Sequence, residues 1–572
     1  MTDKIEIVVR EALEALGIKA EIVNIERPMS IAHGDYSTNA ALVYSKDKGV
    51  NPRELAGQLV EKILETPSEY INKIEVAGAG FINFFLADAV IRGENKKEKS
   101  TLLTKYSEKK VLVEHSSPNL FKPFHIGHLM NNIIGEFVTR VTEIGGGKVT
   151  TISFPSDVSL GIAKAMYILL EDNKEGRDVL KLSDEEKIIA FGEAYRRGVA
   201  YFDEHPDEIE KAKEIAHIIY DASHQSDARK LFERAKEINT AYFIKIIKEL
   251  GSVINETIYE SEAGVRGKEI VDANTGEGKV FTKSEGAIVY IPNESRKDLH
   301  TQVFINSEGY PTYEAKDLGL IDLKFKKFSP DLSYFITDSE QASHFRVVLD
   351  AAGKLGGEWK ERVEKSLHVP HGRMLFKGQK MSSRLGGVPL ALDVISVVED
   401  EVRERAGDKI AHLSAEEKRK LERDIALSAL RIAVLRAKPG MNINFDPDSS
   451  LSFEGDSGPY LLYTHARCAS LLEKGKSLNY EPKFQSLPAT PLERALAQYE
   501  FELSLVVDDL APQRLVTYLF EVAQLLNGFY AEIQIITDNK EVSEHYLAIV
   551  KRLKSVLSEG LLVLGISAPD KM

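Results

Sequence analysis

The chain has a single cysteine, Cys468, among its 572 residues. One thiol can form neither an intrachain disulfide nor a thiolate zinc cluster. It fits a reducing compartment, so a cytoplasmic location is expected. No run of about 18 apolar residues is present, which excludes a helical membrane span. The opening MTDKIEIVVR lacks the long apolar core of a signal peptide. Positive charge is also scarce: 74 Lys and Arg stand against 88 Asp and Glu, a formal net charge of −14. That balance excludes a protein that coats nucleic acid by bulk charge, and it leaves room for local basic grooves. No segment is a basic arm, an acidic tail, a repeat or a low-complexity stretch. What remains is 43% hydrophobic and 28% charged, the composition of a globular protein. A length of 572 residues suggests about three to five domains.

Three compositional regions follow one another. Ile5, Val8, Val9, Ala12, Leu13 and Leu16 share one helical face, and Gly17 stops that helix. A strand-like EIVNIERP, the loop His33-Gly34-Asp35-Tyr36, a helix opened by Asn51-Pro52 and β-type sequence over 73–86 complete a small α+β unit. The charged run 92–99 reads as a solvated linker. Val111, Leu112 and Val113 then form a compact strand, followed at once by a tight loop and a helix from about Gly127. Strand, loop, helix is the opening of a dinucleotide-type α/β domain. Charged amphipathic helix over 157–250 reads as an insertion. Apolar strands return at 287–291, 303–305 and 334–337, and their alternation with helices suggests a parallel sheet. After Asp393 the chain is helical, with periods over 425–435, 458–472, 492–510, 513–532 and 543–557.

Two segments carry chemistry. Residues 116–129 read SSPNLFKPFHIGHL, with His125 and His128 bracketing Gly127. At i and i+3 of a helix start, both imidazoles face the same side. The unpaired backbone N–H groups and the helix dipole there favour a phosphate, and Gly127 lets a nucleotide approach the backbone. Lys122 adds a nearby cation. His-x-x-His alone also fits a metal site, but no cysteine pair is present to complete a zinc cluster. The second segment, HGRMLFKGQKMSSRLGG at 371–387, sets Lys377, Lys380 and Arg384 among Ser382, Ser383, Gly378, Gly386 and Gly387. Glycine supplies mobility, hydroxyls supply contacts and lysine supplies a point charge for a triphosphate.

His-Ile-Gly-His followed about 250 residues later by Lys-Met-Ser-Ser-Arg resembles the paired nucleotide motifs of class I aminoacyl-tRNA synthetases, and nearly the whole chain resembles the arginyl-tRNA synthetase family. Glu114, Ser116, Ser117 and Asn119 resemble that family's Glu-x-Ser-Ser-x-Asn, here with Pro118 intervening. The family often lacks the second lysine of the mobile loop, with a lysine before the first histidine in compensation, and Arg384 and Lys122 match both halves of that pattern. SEGYPTYEAKDLGL supplies Tyr313 and Asp317, and SYFITDSEQASHF supplies Gln341 and His344. HGDYSTNAAL resembles the family's added N-terminal domain, and GPYLLYTHARCASLL resembles the first helix of its anticodon bundle. SFPSDVSLGIAKA and Asn255-Glu256 depart from the family pattern, while Glu260-Ser261 keeps it.

The resemblance implies an α/β architecture: a Rossmann-type parallel-sheet catalytic domain, a small α+β N-terminal domain and an all-α C-terminal bundle. The expected boundaries are 1–90 for the tRNA-contact domain, 91–108 for a linker and 109–395 for the catalytic domain, with an insertion at about 155–285. Residues 396–455 would form a helical stem-contact region and 456–572 the anticodon-binding domain. The implied substrates are ATP with Mg²⁺, L-arginine and the tRNA for arginine; no metal held by the protein, no DNA partner and a monomer are expected. His125, His128, Lys122 and Lys380 are the expected catalytic residues. Gly127, His371, Gly372, Met374, Met381, Ser382 and Ser383 would join the histidines and Lys380 at ATP. A guanidinium is planar and always charged, so its pocket needs carboxylates: Asp317 first, with Glu114 in support, Tyr313 stacking, and Ser117, Asn119, His125 and Gln341 around the rest of arginine. Tyr460, Tyr463 and His465 are candidates for stacking on unpaired tRNA bases. An adenylyltransferase with another acceptor and a catalytically silent RNA-binding relative are the two alternatives.

Overall fold

The computed structural model describes residues 1–28, 30–66, 68–97, 103–221, 223–376, 389–406 and 413–572. They divide into two compact units. One joins 1–101 to 453–562 and 567–572, and the other joins 102–452 to 563–566.

In the first unit, helices Thr2–Ala15, Ala40–Lys48 and Pro52–Glu65 accompany a four-stranded antiparallel sheet. Its strand order is Ile25–Glu26, Tyr36–Thr38, Phe81–Leu86, Ile71–Ala77. Ile5, Val9, Leu13, Leu55, Leu59, Ile82 and Phe84 form its core. Each large side chain buried in this way contributes about 1.5–3 kcal/mol. Helices Gly458–Ser477, Pro491–Ala497, Tyr499–Asp509 and Pro512–Glu532 belong to the same unit. Arg494 joins its two chain segments, reaching Asp35 at 2.8 Å and Asp88 at 2.6 Å.

The second unit is built on five parallel strands. They are β1 (Lys110–Glu114), β2 (Lys148–Ser153), β3 (Glu256–Thr257), β4 (Leu332–Asp338) and β5 (Ser366–His371), in the order β5-β4-β1-β2-β3. Parallel neighbours need crossovers, and helices supply them. Helix α1 (Ile126–Ile144) links β1 to β2, and fourteen of its nineteen residues are buried, as befits a helix covered on nearly all sides. Four helices between Leu160 and Glu249 separate β2 from β3. Helices α2 (Glu260–Ala273) and α3 (Tyr313–Phe328) pack on each other. A Cβ on Gly267 would lie 1.8 Å from the Ala315 carbonyl oxygen, and one on Gly319 would lie 2.0 Å from that of Ala263. The two backbones therefore touch, which only glycine allows.

Four expectations change. Strands Ala287–Tyr290 and Gln302–Ile305 exist, but they lie in a separate antiparallel sheet with Phe281–Ser284. Glu285 and Gly286 join two of these strands with φ of 48° and 82°, and positive φ at both residues of a two-residue turn makes a hairpin rather than a crossover. The chain also re-enters the parallel sheet at β3, inside the stretch expected to be an insertion. Residues 92–97 are not a solvated linker. Helix Asp88–Asn95 is docked by Asn95, whose amide donates to the Glu493 carbonyl at 2.8 Å, and by Arg92, which donates to the Leu487 carbonyl at 2.7 Å. The helical period over 492–510 is two helices that break at Gln498, whose amide donates to the Asp35 carbonyl.

Candidate active site

The carboxyl ends of β1, β4 and β5 lie side by side, because Asp338 pairs with His371 and Phe335 pairs with Glu114. Open parallel sheets bind ligands at such ends. The first candidate motif stands there. His125 is the N-cap of α1, and its Nδ1 accepts from the Gly127 N–H at 3.1 Å. His128 reaches back, and its Nδ1 accepts from the His125 N–H at 3.3 Å. The two rings stack with centroids 3.7 Å apart at an angle of 20°. An imidazole whose Nδ1 accepts carries its proton on Nε2. Burial pulls the His125 ring below its ordinary range, and the Lys122 charge adds to this. His128 is pulled well below, by burial first and then by His125, Lys122 and His371. The pair therefore offers two neutral Nε2–H donors at neutral pH. Lys122 stands 5.1 Å over the Tyr195 ring.

The flanks of the second motif reach the same turn. His371 at the end of β5 is buried, and its Nδ1–H donates to the Gly372 carbonyl at 2.9 Å. Burial lowers its basicity. A Cβ on Gly372 would meet the Met441 carbonyl oxygen at 2.0 Å, so this glycine is fixed by a close backbone approach. Met374 is buried and starts strand Met374–Phe376, which pairs with Ile443–Phe445. On the far side, the Ile126 N–H donates to the Pro389 carbonyl and the Ala391 N–H to the Phe124 carbonyl. Lys377, Lys380, Met381, Ser382, Ser383 and Arg384 lie outside the described residues.

The loop after β1 is held from within. Ser117 Oγ accepts from the Phe154 N–H at 2.9 Å, and Asn119 forms a backbone bridge to Ser156. Glu114 is buried and ion-paired with Lys324. Its carboxylate is therefore engaged by a lysine rather than open.

Asp317 is one turn into α3, and Tyr313 is that helix's exposed first residue. Asp317 Oδ2 lies 2.5 Å from His344 Nε2. Gln341 is exposed and ends the short turn Ser339–Gln341 ahead of helix α4 (Ala342–Lys354). Glu260, not among the site residues expected from the sequence, stands near Asp317. Its buried carboxylate pairs with Lys316 at 2.7 Å and accepts from Ser156 Oγ at 3.0 Å. Burial, opposed by Lys316, pushes the Glu260 carboxyl up, and the Asp317 charge pushes it further. Glu114 responds in the same way to burial and to Asp317. Three carboxylates thus converge, and two of them carry a lysine.

In the first unit, Tyr460 and His465 are buried. Tyr460 Oη accepts from the Asn527 amide at 2.8 Å, and the His465 Nδ1–H donates to the Pro569 carbonyl at 2.9 Å. Both rings are packed, so neither is presented for stacking. Tyr463 is exposed. Arg467 is one turn on along the same helix and lies 3.9 Å over the half-exposed ring of Tyr530. The spacing of Tyr463 and Arg467 was visible in the sequence, whereas Tyr530 comes from another helix.

Parallel strands whose carboxyl ends carry a histidine pair at a helix start define a nucleotide-binding α/β catalytic unit of the class I synthetase kind. The family described as tRNA synthetases class I (R), catalytic domain, matches residues 93–446, and the chain belongs to that family. On either side, the Arginyl tRNA synthetase N terminal domain matches residues 3–86 and the DALR anticodon binding domain matches residues 461–572. An arginine–tRNA ligase of Alteromonas mediterranea is 29% identical over 98% of this chain and 98% of its own. One of Laribacter hongkongensis is 27% identical over 94% of each. Among solved structures, the Thermus thermophilus arginyl-tRNA synthetase shares the fold over 100% of both chains, with a TM-score of 0.80 at 23% identity. The Plasmodium falciparum enzyme does so with 0.77 at 18% identity, over 100% of this chain and 99% of its own.

Proposed function

We propose the following chemistry for this arginine–tRNA ligase. The arginine carboxylate attacks the α-phosphorus of ATP in line and pyrophosphate leaves. The Nε2–H groups of His125 and His128 donate to phosphate oxygens as charge builds, and Lys122 and Lys380 add positive charge. Because the imidazoles are neutral, they act as oriented donors and the lysines act as cations. His371, Gly372, Met374, Met381, Ser382 and Ser383 line the nucleotide, and Gly127 admits it to the helix start. Asp317 receives the guanidinium, with the lysine-paired Glu114 in support and the lysine-paired Glu260 beside it. Tyr313 stacks on the guanidinium plane, and Ser117, Asn119 and Gln341 hold the amino and carboxyl end. The 2′-hydroxyl of the terminal ribose then attacks the arginyl carbonyl of the adenylate, losing its proton, and AMP leaves as the mixed-anhydride bond breaks. Mg²⁺ enters as part of the nucleotide substrate, carried by phosphates and water. Activation requires bound tRNA. Tyr463, Arg467 and Tyr530 meet unpaired anticodon bases. The protein works as a monomer in the cytoplasm.

The observation that carries this reading is the stacked, Nδ1-anchored histidine pair at the start of α1. Replacing His128 by Ala should lower the rate of activation by about 100-fold or more, the scale of one lost oxyanion-type donor. Pyrophosphate exchange in the presence of tRNA measures it, and a near-normal rate would remove the histidines from the mechanism.

A further inference from the structure

Asp317, the carboxylate assigned to the guanidinium, already has a partner. His344 on α4 sets its Nε2 2.5 Å from Asp317 Oδ2 and its Nδ1 3.3 Å from Glu314 Oε1. Carboxylate oxygens only accept hydrogen bonds. A ring with a carboxylate at each nitrogen must donate from both, and a ring that donates from both is an imidazolium. Glu314 and Asp317 lie on one face of α3, three residues apart, and are the titratable groups facing His344 among the described residues. The side of the ring on its own helix meets the Phe345 ring edge-on at 5.0 Å. The His344 contact is to Asp317 Oδ2, and Asp317 Oδ1 makes no hydrogen bond among the described residues.

We propose that His344 is a positioning residue of the arginine pocket: an imidazolium that holds Asp317 in place and loosens as the guanidinium arrives, so that arginine binding expels a proton. This rests on the reading of Asp317 as the guanidinium carboxylate. The charges fit that role. When the guanidinium takes its share of Asp317, two cations face one carboxylate, and the one that can shed its charge is the imidazolium, since a guanidinium does not deprotonate in this range. The proton goes to solvent. Burial pulls the imidazole down, but the hydrogen bonds to Asp317 and Glu314 outweigh it and carry it up to about 10. Substrate charge moves it back down. Proton release is therefore confined to the pH window between the bound and free values, and arginine affinity rises with pH inside it.

Titration calorimetry of arginine into the full-length protein at pH 8.5, in phosphate and in Tris, reads the proton directly. The two buffers differ in ionisation enthalpy, so a released proton makes the apparent binding heats differ. The expected result is a buffer-dependent heat in the wild-type protein that is reduced in His344→Gln by the share belonging to His344. Arginine affinity should rise between pH 7 and 8.5, by at most about tenfold per pH unit, and the rise should be smaller in the variant. Equal heats in the two buffers for the wild-type protein overturn the proposal whether or not the variant folds. So does a wild-type heat difference that His344→Gln, folded by its melting curve, reproduces in full. If His344→Gln does not fold, His344→Asn takes its place in that comparison. Asp317→Asn separates the two levels. Unchanged arginine affinity there removes the pocket assignment itself, whereas lost affinity with unaltered proton release in His344→Gln removes only the role of His344.

Discussion

At the residue scale, burial decides what each ionisable group can do. His125 and His128 look in sequence like two cations for a phosphate. In place they are neutral donors, because their Nδ1 atoms are taken by backbone N–H groups and burial with Lys122 suppresses protonation. The motif was legible in the sequence, but the protonation state was not, since it depends on burial that no spacing encodes. His115 shows the same physics in a stability role. It is fully buried, and burial takes its imidazole from 6.5 down to about 4. The unfolded chain then binds more protons than the folded one between those values. This contribution is present above pH 6.5 and is lost as the pH falls through about 4. Urea unfolding at pH 5 should show about 2 kcal/mol less stability from this residue than at pH 7. The loss should shrink by that amount in a folded His115→Gln variant. Asp317→Ala should raise the KM for arginine by about tenfold or more, the scale of a lost charged hydrogen bond, and leave the KM for ATP nearly unchanged. Initial rates at varied arginine and varied ATP distinguish the two.

At the element scale, the proposed arginine pocket depends on how closely α2 and α3 approach. Glu260 opens α2, and Tyr313 and Asp317 open α3, so the spacing of these helices sets the spacing of their carboxylates. Gly267 and Gly319 permit the contact. Gly267→Ala would place a methyl group inside the Ala315 carbonyl, and overpacking of this kind costs about 1–3 kcal/mol. A lower melting temperature and weaker arginine binding should appear together. Gly57→Ala, in open space on helix Pro52–Glu65, should bring neither. Elements with a strong period or a strong cap were legible in the sequence. Asn51 caps the helix that Pro52 opens, and the Val111–Val113 run became β1. The two-residue β3 is too short to carry a period, and the turn at Glu285-Gly286 puts Glu at a positive φ where Asn or Asp is the usual signal. In sequence the hairpin therefore looks like part of the parallel sheet. In HGDY the resemblance was legible but the reason for it was not. A Cβ on Gly34 would lie 2.8 Å from the Phe84 carbonyl oxygen, and buried Asp35 accepts from the Leu86 N–H at 2.6 Å. These residues hold the N-terminal fold together.

At the scale of the whole molecule, a chain with a net charge of −14 binds a polyanion without coating it. Positive charge is needed only where phosphates lie, and uncharged stacking serves unpaired bases. Three family segments account for nearly the full length, as the sequence suggested. The unit that combines the N-terminal and C-terminal segments was not legible, because Arg494 is more than 400 residues from Asp35 and no local pattern reports such a pairing. Arg494→Ala would leave Asp35 buried without its ion partner and should destabilise this unit by about 3–5 kcal/mol. Urea unfolding followed by a probe in residues 1–97 would register the loss. The most direct test of the central claim is charging itself: the purified protein with ATP, total tRNA and each of the twenty amino acids in turn, followed by the label carried into tRNA. Charging with arginine alone, abolished by omitting tRNA and reduced about 100-fold or more by His128→Ala, is the expected result. Charging with any other amino acid, or none with arginine, would contradict it.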